Sequence, residues 1–110
     1  MGGIQRRSFH LGHWMVEPTL DRISRDGREV RLRPRAMDVL AVLALAAGKL
    51  VSKRQHIDEV SRTEYVGDHA LTQVIAELRA ALGDTARNPT FIENIPRRGY
   101  RLVAAVTPAA

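Results

Sequence analysis

The residues best suited to bind a phosphate are two arginines near the end of the chain. Arg97 and Arg98 are adjacent in a Pro-Arg-Arg-Gly tetrapeptide that lies between two mainly apolar stretches. A guanidinium is always charged and presents several N–H donors in one plane, which matches the oxygens of a phosphate. Two strand-like stretches joined by a short turn containing glycine predict a β-hairpin. The sequence therefore predicts a hairpin whose tip carries both arginines.

The stretch before this hairpin predicts an amphipathic helix over residues 68–82. Its apolar residues recur at the spacing of one helical face: Leu71, Val74, Ile75, Leu78, Ala81 and Leu82. The opposite face holds His69, Gln73, Ala76 and Ala80, with Thr72, Glu77 and Arg79 on its flanks. Side chains this short or polar suit a solvated face and also suit a surface that approaches a groove closely. Periodicity alone leaves both interpretations open.

The first third of the chain predicts a small antiparallel sheet. Phe9 and Leu11 alternate with polar neighbours, which is the period of a strand with one buried face. Asp26 and Gly27 lie between apolar residues and form a strong signal for a two-residue hairpin turn. A sheet of about four short strands accounts for this pattern.

The middle of the chain predicts two further helices. Pro34 suits the first turn of a helix whose apolar residues cover most of its circumference, and Gly48 closes that helix. Ser52 and Gln55 form a capping box that opens a short second helix, and a loop over 62–67 follows. Two helices joined by a turn, the later one with a polar exposed face, describe a helix-turn-helix. The hairpin that follows is then a wing.

The net charge of +5 at pH 7 is concentrated in two arginine-rich segments. Residues 22–35 hold six arginines against two acidic residues, and residues 85–110 hold four against one. Residues 68–84 are instead net negative. A basic excess favours a polyanionic partner, either a nucleic acid or an anionic membrane. The arginines fall on turns and a hairpin tip and not along an amphipathic helix, which disfavours the membrane.

The composition also argues against several classes of function. The 110 residues suit one domain, and the absence of cysteine leaves no disulfide, thiolate nucleophile or cysteine-bound zinc. We find no clustered histidine ligands, phosphate loop, nucleophile elbow or carboxylate pair, so we expect no enzyme, no metal and no cofactor. The longest apolar run, 39–47, is too short to span a bilayer, and the first residues do not lead into the apolar region of a signal peptide. We therefore expect a cytoplasmic domain.

Several stretches of the sequence resemble the winged-helix effector domain of OmpR/PhoB-type regulators, and more closely their ToxR/CadC-like branch. The resemblance covers nearly the whole chain, residues 8–104. The matching stretches are 9–12, 32–40, 48–53, 70–79, 81–84 and 91–102. The pattern LTQ..AELR.ALGD followed by FIE..PRRGYRL at this separation is specific to that family.

The resemblance implies an α+β fold, a winged helix-turn-helix with an N-terminal four-stranded antiparallel sheet, three helices and a C-terminal β-hairpin wing. The domain would span residues 8–105, between an N-terminal tail, 1–7, and a C-terminal tail or linker start, 106–110. The implied function is sequence-specific binding of double-stranded promoter DNA as the effector domain of a bacterial transcriptional regulator. The third helix would enter the major groove and the wing the minor groove. The alternative is a winged-helix protein-interaction module with weak or no DNA affinity.

Positions in the family pattern assign roles to individual residues. The recognition-helix contacts to DNA are implied to be His69, Thr72, Gln73, Ala76, Glu77 and Arg79. The wing contacts are implied to be Asn94, Arg97, Arg98 and Tyr100. The loop residues Arg62, Thr63, Glu64 and Tyr65 are implied to contact RNA polymerase. Because the third helix is net negative, we expect the wing and residues 22–35 to carry more of the affinity for phosphate.

The family also implies an assembly larger than this domain. Its members often bind DNA as tandem or dimeric copies. A sensor, receiver or membrane segment would belong to the full-length chain. A receiver domain would precede this domain and connect it to phosphorelay signal transduction. In a membrane-anchored regulator the spanning helix follows later, so that the protein is held at the inner membrane.

Overall fold

A computed structural model describes residues 7–52, 54, 68–85 and 87–109, without the side chains of residues 68 and 69. The strands are β1 (Phe9–Leu11), β2 (Trp14–Glu17), β3 (Arg22–Arg25), β4 (Arg28–Arg31), β5 (Val51–Ser52), β6 (Ile92–Ile95), β7 (Gly99–Leu102) and β8 (Val106–Pro108). The helices are α1 (Pro34–Leu45) and α2 (Asp68–Leu82), with a 3-10 turn at Pro18–Leu20. The helix α2 is the third helix of the sequence prediction, because the predicted second helix lies outside the described residues.

The N-terminal sheet has five antiparallel strands in the order β4-β3-β2-β1-β8. The four predicted strands are present, but residues 106–108, assigned to a tail by the sequence, form a fifth strand beside β1. Val106 packs against the core, and the backbone N–H of Gly12 donates to the carbonyl of Ala105 at 2.9 Å. Three residues ending in proline are too short a pattern to predict a strand, and proline is tolerated there because β8 is an edge strand.

The turn between β3 and β4 is the predicted two-residue hairpin. Asp26 and Gly27 both adopt positive φ, 50° and 81°, which the turn type with the correct twist requires. Arg25 then pairs directly with Arg28 across the turn. This register places four arginines on two adjacent strands, at positions 22, 25, 28 and 31.

The core lies where α1 and the apolar face of α2 pack together with both sheets. Helix α1 is buried on nearly all sides, as its composition predicts, and seven of its twelve residues are buried. Pro34 is its first residue, and Arg33 precedes it in extended conformation without a side-chain cap. The buried residues of α2 are the predicted apolar positions: Leu71, Val74, Ile75, Leu78 and Leu82.

The C-terminal hairpin is part of a three-stranded sheet in the order β5-β7-β6. The sequence predicted the hairpin alone, since the two residues of β5 are too few to give a pattern. Val51 pairs with Tyr100, and Ser52 pairs with Gly99. Gly99 has a φ of 151°, and a Cβ atom there would lie 2.1 Å from the carbonyl oxygen of Val51. The close approach of β5 to β7 therefore requires glycine at position 99.

Candidate nucleic-acid interface

The face of α2 opposite the core is exposed along the described part of the helix. Thr72, Gln73, Ala76 and Ala80 are all exposed, and we call these four residues the polar face of α2. They are spaced so that Gln73, Ala76 and Ala80 lie on one side of the helix. The small side chains at 76 and 80 leave the backbone of α2 accessible to a close partner. The side chain of His69 lies outside the described residues.

Glu77, at the edge of this face, is paired with an arginine from a distant part of the chain. Arg33 donates from Nε to Oε1 of Glu77 at 3.2 Å and from Nη2 to the other carboxylate oxygen. The Arg33 side chain stays 63% exposed. The ion pair offsets the acidic charge of α2 and brings a guanidinium to the edge of the polar face. The net negative charge of residues 68–84 is therefore reduced locally, which the sequence count does not reveal.

Arg79, predicted as a recognition contact, is directed toward the wing. Its Nη2 donates to the carbonyl oxygen of Ile92 at 3.1 Å, and its Nε is buried without a hydrogen-bond partner in the described part of the chain. Ile92 is the first residue of β6 and is fully buried. This contact fixes the end of α2 to the start of the wing and makes Arg79 a positioning residue.

Asp84 also binds the backbone of Ile92, at the start of the wing. Its carboxylate, 9% exposed, accepts the backbone N–H of Ile92 at 2.8 Å and that of Phe91 at 3.1 Å. It also accepts the backbone N–H groups of Thr90 and Thr85 at 2.7 and 2.9 Å. Burial raises the pKa of Asp84, but these N–H donors outweigh burial and hold the pKa below its usual value. The backbone of Ile92 is therefore fixed by side chains at positions 79 and 84.

The wing, defined as β6, β7 and the turn 96–98, presents its two arginines to solvent. Arg97 and Arg98 are exposed, and Arg97 adopts a positive φ of 67°. The backbone N–H of Arg98 donates to the carbonyl oxygen of Ile95 at 2.9 Å, which closes the turn. Within the ranges that the structure describes, neither guanidinium forms an ion pair or a hydrogen bond. Both charges are available to an external anion.

The other two predicted wing contacts are placed differently from each other. Asn94 is exposed on β6. Tyr100, its cross-strand partner, is only 5% exposed and belongs to the core cluster. The DNA contact that the family pattern implies at Tyr100 stays a prediction, and the structure packs its ring in the core cluster. Alternation along β7 is the signal for this, since Tyr100 and Leu102 share one face.

The arginine-rich segment 22–35 is partly neutralised by carboxylates that pair with three of its arginines. Arg22 contacts Glu17 at 2.9 Å and Glu29 at 3.5 Å, and the hydrogen bond and charge of Glu17 raise the pKa of Arg22 above its usual value. Arg33 is bound to Glu77. The remaining exposed arginines without an ion pair among the described residues are Arg28 and Arg31. The segment therefore offers much less available charge than its composition indicates.

One predicted set of contacts lies outside the described residues. The predicted polymerase contacts Arg62, Thr63, Glu64 and Tyr65 lie outside them. No group of three potential metal-binding side chains occurs in the described ranges. None of the helices described there is both long and apolar enough to cross a membrane.

Comparison with known proteins gives a family match over most of the chain. Residues 27–102 match the family described as "Transcriptional regulatory protein, C terminal". The transcriptional activator CadC of Escherichia coli K12 is 38% identical over 104 residues, which cover 94% of this chain and 20% of CadC. The chain thus spans about a fifth of the length of that relative.

Solved structures give the same picture of the fold. The DNA-binding domain of E. coli CadC superimposes with a TM-score of 0.84 at 36% identity, covering 96% of this chain and 99% of that domain. The Klebsiella pneumoniae RstA DNA-binding domain, solved in complex with the RstA box, superimposes with a TM-score of 0.75. It is 24% identical and covers 86% of this chain and 95% of that one, so it supports the fold alone.

Proposed function

This chain belongs to the OmpR/PhoB-type family of transcriptional regulatory protein C-terminal domains, and from that premise we propose how it binds promoter DNA. Its fold is the winged helix-turn-helix of the DNA-binding effector domains in that family. In the proposal, the polar face of α2 reads bases in the major groove while the wing tip binds the neighbouring minor groove. The whole regulator acts in transcription by sequence-specific binding to duplex DNA.

The polar face of α2 has the dimensions and chemistry that base reading requires. A major groove about 12 Å wide admits one α-helix, and the small residues Ala76 and Ala80 allow a close approach. Gln73 is exposed on this face, and its amide can donate to and accept from one adenine edge at once. Thr72 lies next to it in the sequence and is also exposed. We assign sequence preference mainly to Gln73.

The wing supplies the charge that α2 lacks. Arg97 and Arg98 are exposed at the hairpin tip, and no acidic partner among the described residues competes for them. Arginines that enter a narrow minor groove gain from its enhanced negative potential. Asn94, exposed on β6, adds a neutral hydrogen-bonding group to the same hairpin. In the proposal, these residues contribute affinity and fix the position of the protein on DNA, while α2 contributes the preference for a base sequence.

The observation that carries this proposal is the rigid connection between the two contact elements. Ile92 opens the wing, and its backbone is held by Arg79 and Asp84 from the end of α2. A helix and a hairpin that bind adjacent grooves need a fixed mutual orientation, because DNA is itself a stiff partner. The contacts of Arg79 and Asp84 with Ile92 support the proposal because they join the two elements directly.

Selection of duplexes from a random pool, followed by binding of the selected duplex, tests the proposal. Gln73→Ala should lower affinity for the selected duplex and flatten its preference at one base pair, by about 1–3 kcal/mol of discrimination. Thr107→Ala, on the exposed strand β8, is the matched control and should leave the preference unchanged. A pool from which no duplex is enriched would support the protein-interaction alternative instead.

The remaining parts of the proposal concern the longer protein. Binding as tandem or dimeric copies, contact with RNA polymerase through residues 62–65 and a cytoplasmic location follow from the family's role in transcription. A receiver, sensor or membrane segment in the full-length chain would supply the signal. Size-exclusion chromatography with and without the selected duplex measures whether the protein binds as tandem or dimeric copies.

A further inference from the structure

A polar groove of about 520 Å³ lies at the C-terminal end of α2, away from the wing tip. One wall is the end of α2 with the loop that follows it, including Ala80, Gly83 and Thr90. The other wall is the turn of the β3–β4 hairpin, with Arg25, Asp26 and Arg28. Ala80 belongs to the polar face of α2, so the groove continues the surface that we assign to DNA.

The two arginines of this groove differ in how they are held. Arg25 lies over the ring of Trp14, with its guanidinium carbon 5.9 Å from the ring centroid. Its Nε also contacts the exposed carboxylate of Asp26 at 3.4 Å, a weak pair in solvent. Arg28 is exposed and has no ion pair within the described part of the chain. Arg25 thus lies near both Trp14 and Asp26, whereas Arg28, its cross-strand partner, carries a charge that no ion pair in the described ranges compensates.

The C-terminal end of a helix disfavours phosphate binding unless cations are nearby. The last carbonyl groups of a helix carry partial negative charge, which repels a phosphate oxygen. The last turn of α2 contains only Arg79 as a basic residue, and Arg79 is committed to Ile92. A duplex that accommodates α2 in its major groove brings a phosphate strand past the end of the helix. Arg25 and Arg28 stand at that end and offset its negative charge.

We infer that the groove between the β3–β4 turn and the end of α2 is a third contact with DNA, which binds a backbone phosphate through Arg28. The inference rests on the proposed function, because it takes α2 as the element in the major groove. Arg25, oriented by Trp14, supports the same phosphate. The contact is independent of base identity, since only phosphate oxygens reach it.

The chain itself provides a matched control on the same strand. Arg31 is also exposed on β4 and has no ion pair among the described residues. Successive side chains alternate between the faces of a strand, so position 31 lies on the opposite face from position 28. Arg28→Ala and Arg31→Ala remove the same charge from the two faces of one sheet. Any difference between them reports location and not net charge.

The experiment measures binding of a labelled duplex, chosen by the selection above and about three helical turns long, as a function of salt. Over roughly 50–200 mM NaCl, Arg28→Ala should reduce the magnitude of the log–log slope by about 0.9, the contribution of one phosphate. Arg28→Lys should retain the slope, because it retains the charge. Arg31→Ala should match the unchanged protein. Thermal melting of each variant checks that the fold is intact.

The possible outcomes separate this inference from the proposal beneath it. The phosphate contact would be overturned if the unchanged chain, Arg28→Ala and Arg31→Ala all bound tightly with the same salt slope. The proposed function would then still stand. An unchanged chain that binds no duplex would overturn both. A reduced slope for Arg28→Ala alone, restored by lysine, supports the contact.

Discussion

The two arginine-rich segments of this protein hold their arginines differently. Residues 22–35 combine arginines paired with carboxylates and the exposed, unpaired Arg28 and Arg31, whereas both arginines of the wing tip are exposed and unpaired in the described ranges. In residues 22–35, Arg22 and Arg33 are bound by carboxylates, and Arg25 is stacked on Trp14. In the wing, Arg97 and Arg98 stand at an exposed tip with no ion pair in the described ranges. The difference teaches that available charge depends on neighbouring acids and turn geometry and not on the number of arginines in a stretch.

The largest effect on stability is expected for a glycine-to-alanine substitution in the wing. The same substitution in the β3–β4 turn serves as its comparison. Gly99→Ala in the wing should lower the free energy of unfolding by about 3 kcal/mol or more, because its Cβ would lie 2.1 Å from the carbonyl oxygen of Val51. Gly27 in the β3–β4 turn has a φ of 81°, but a Cβ atom there would have no neighbour within 4 Å. Gly27→Ala should therefore lower the free energy of unfolding by only about 1 kcal/mol. Urea denaturation measures both, and equal losses would contradict the close β5–β7 approach.

A somewhat smaller effect is expected at the anchor of the wing. Asp84→Asn keeps the shape of the side chain but removes its charge and one acceptor, which should lower the free energy of unfolding by about 2–4 kcal/mol. Glu29→Gln in the other region, 62% exposed, should change it by less than about 0.5 kcal/mol. Chemical denaturation of both variants checks this contrast. A loss at Glu29 as large as at Asp84 would contradict the account.

The pKa of Asp84 also gives the anchor a direction of pH dependence. The folded pKa lies below the value of an unfolded aspartate, about 3.9, so the stabilisation is complete above that pH. It is lost as the pH falls through the folded pKa. Asp84→Asn should therefore flatten the decrease in stability below about pH 4. An acid unfolding curve with the same shape in both proteins would contradict this role.

The different positions of the wing tip and the outer face of the N-terminal sheet predict a difference in DNA binding. Replacing Arg97 and Arg98 together by alanine should reduce the magnitude of the salt slope by up to about 1.8, if each binds one phosphate. The matched control replaces Arg22 and Arg31, a cross-strand pair on the outer face of the N-terminal sheet, and should leave the slope unchanged. Fluorescence anisotropy at several salt concentrations measures both. Similar losses for the two pairs would mean that net charge alone governs binding.

The elements that the sequence predicts well are those with local signals. The hairpin at Asp26-Gly27, the start of α1 at Pro34 and the apolar face of α2 all follow from patterns within a few residues. The strands β5 and β8 were missed because each is two or three residues long and is stabilised by a partner distant in sequence. Short strands of this kind have no periodicity to detect.

The candidate site shows the same division between local and distant information. The exposure of Gln73 and of the arginines at 97 and 98 agrees with their places in the helix and turn patterns. The contacts of Glu77 with Arg33 and of Arg79 with Ile92 join residues 44 and 13 positions apart. No local pattern indicates such contacts. They determine which charged residues of α2 face solvent and which ones position the wing.

The most direct test of the central claim is a ¹H–¹⁵N chemical-shift titration of the protein with the duplex that it selects. The account predicts the largest amide shifts on the polar face of α2, at Thr72, Gln73 and Ala76, and across residues 94–98 of the wing. The outer face of the N-terminal sheet, with His10 and Met15, should be unaffected. Shifts confined to that outer face, with the α2 and wing amides unchanged, would contradict the claim that these two elements bind DNA together.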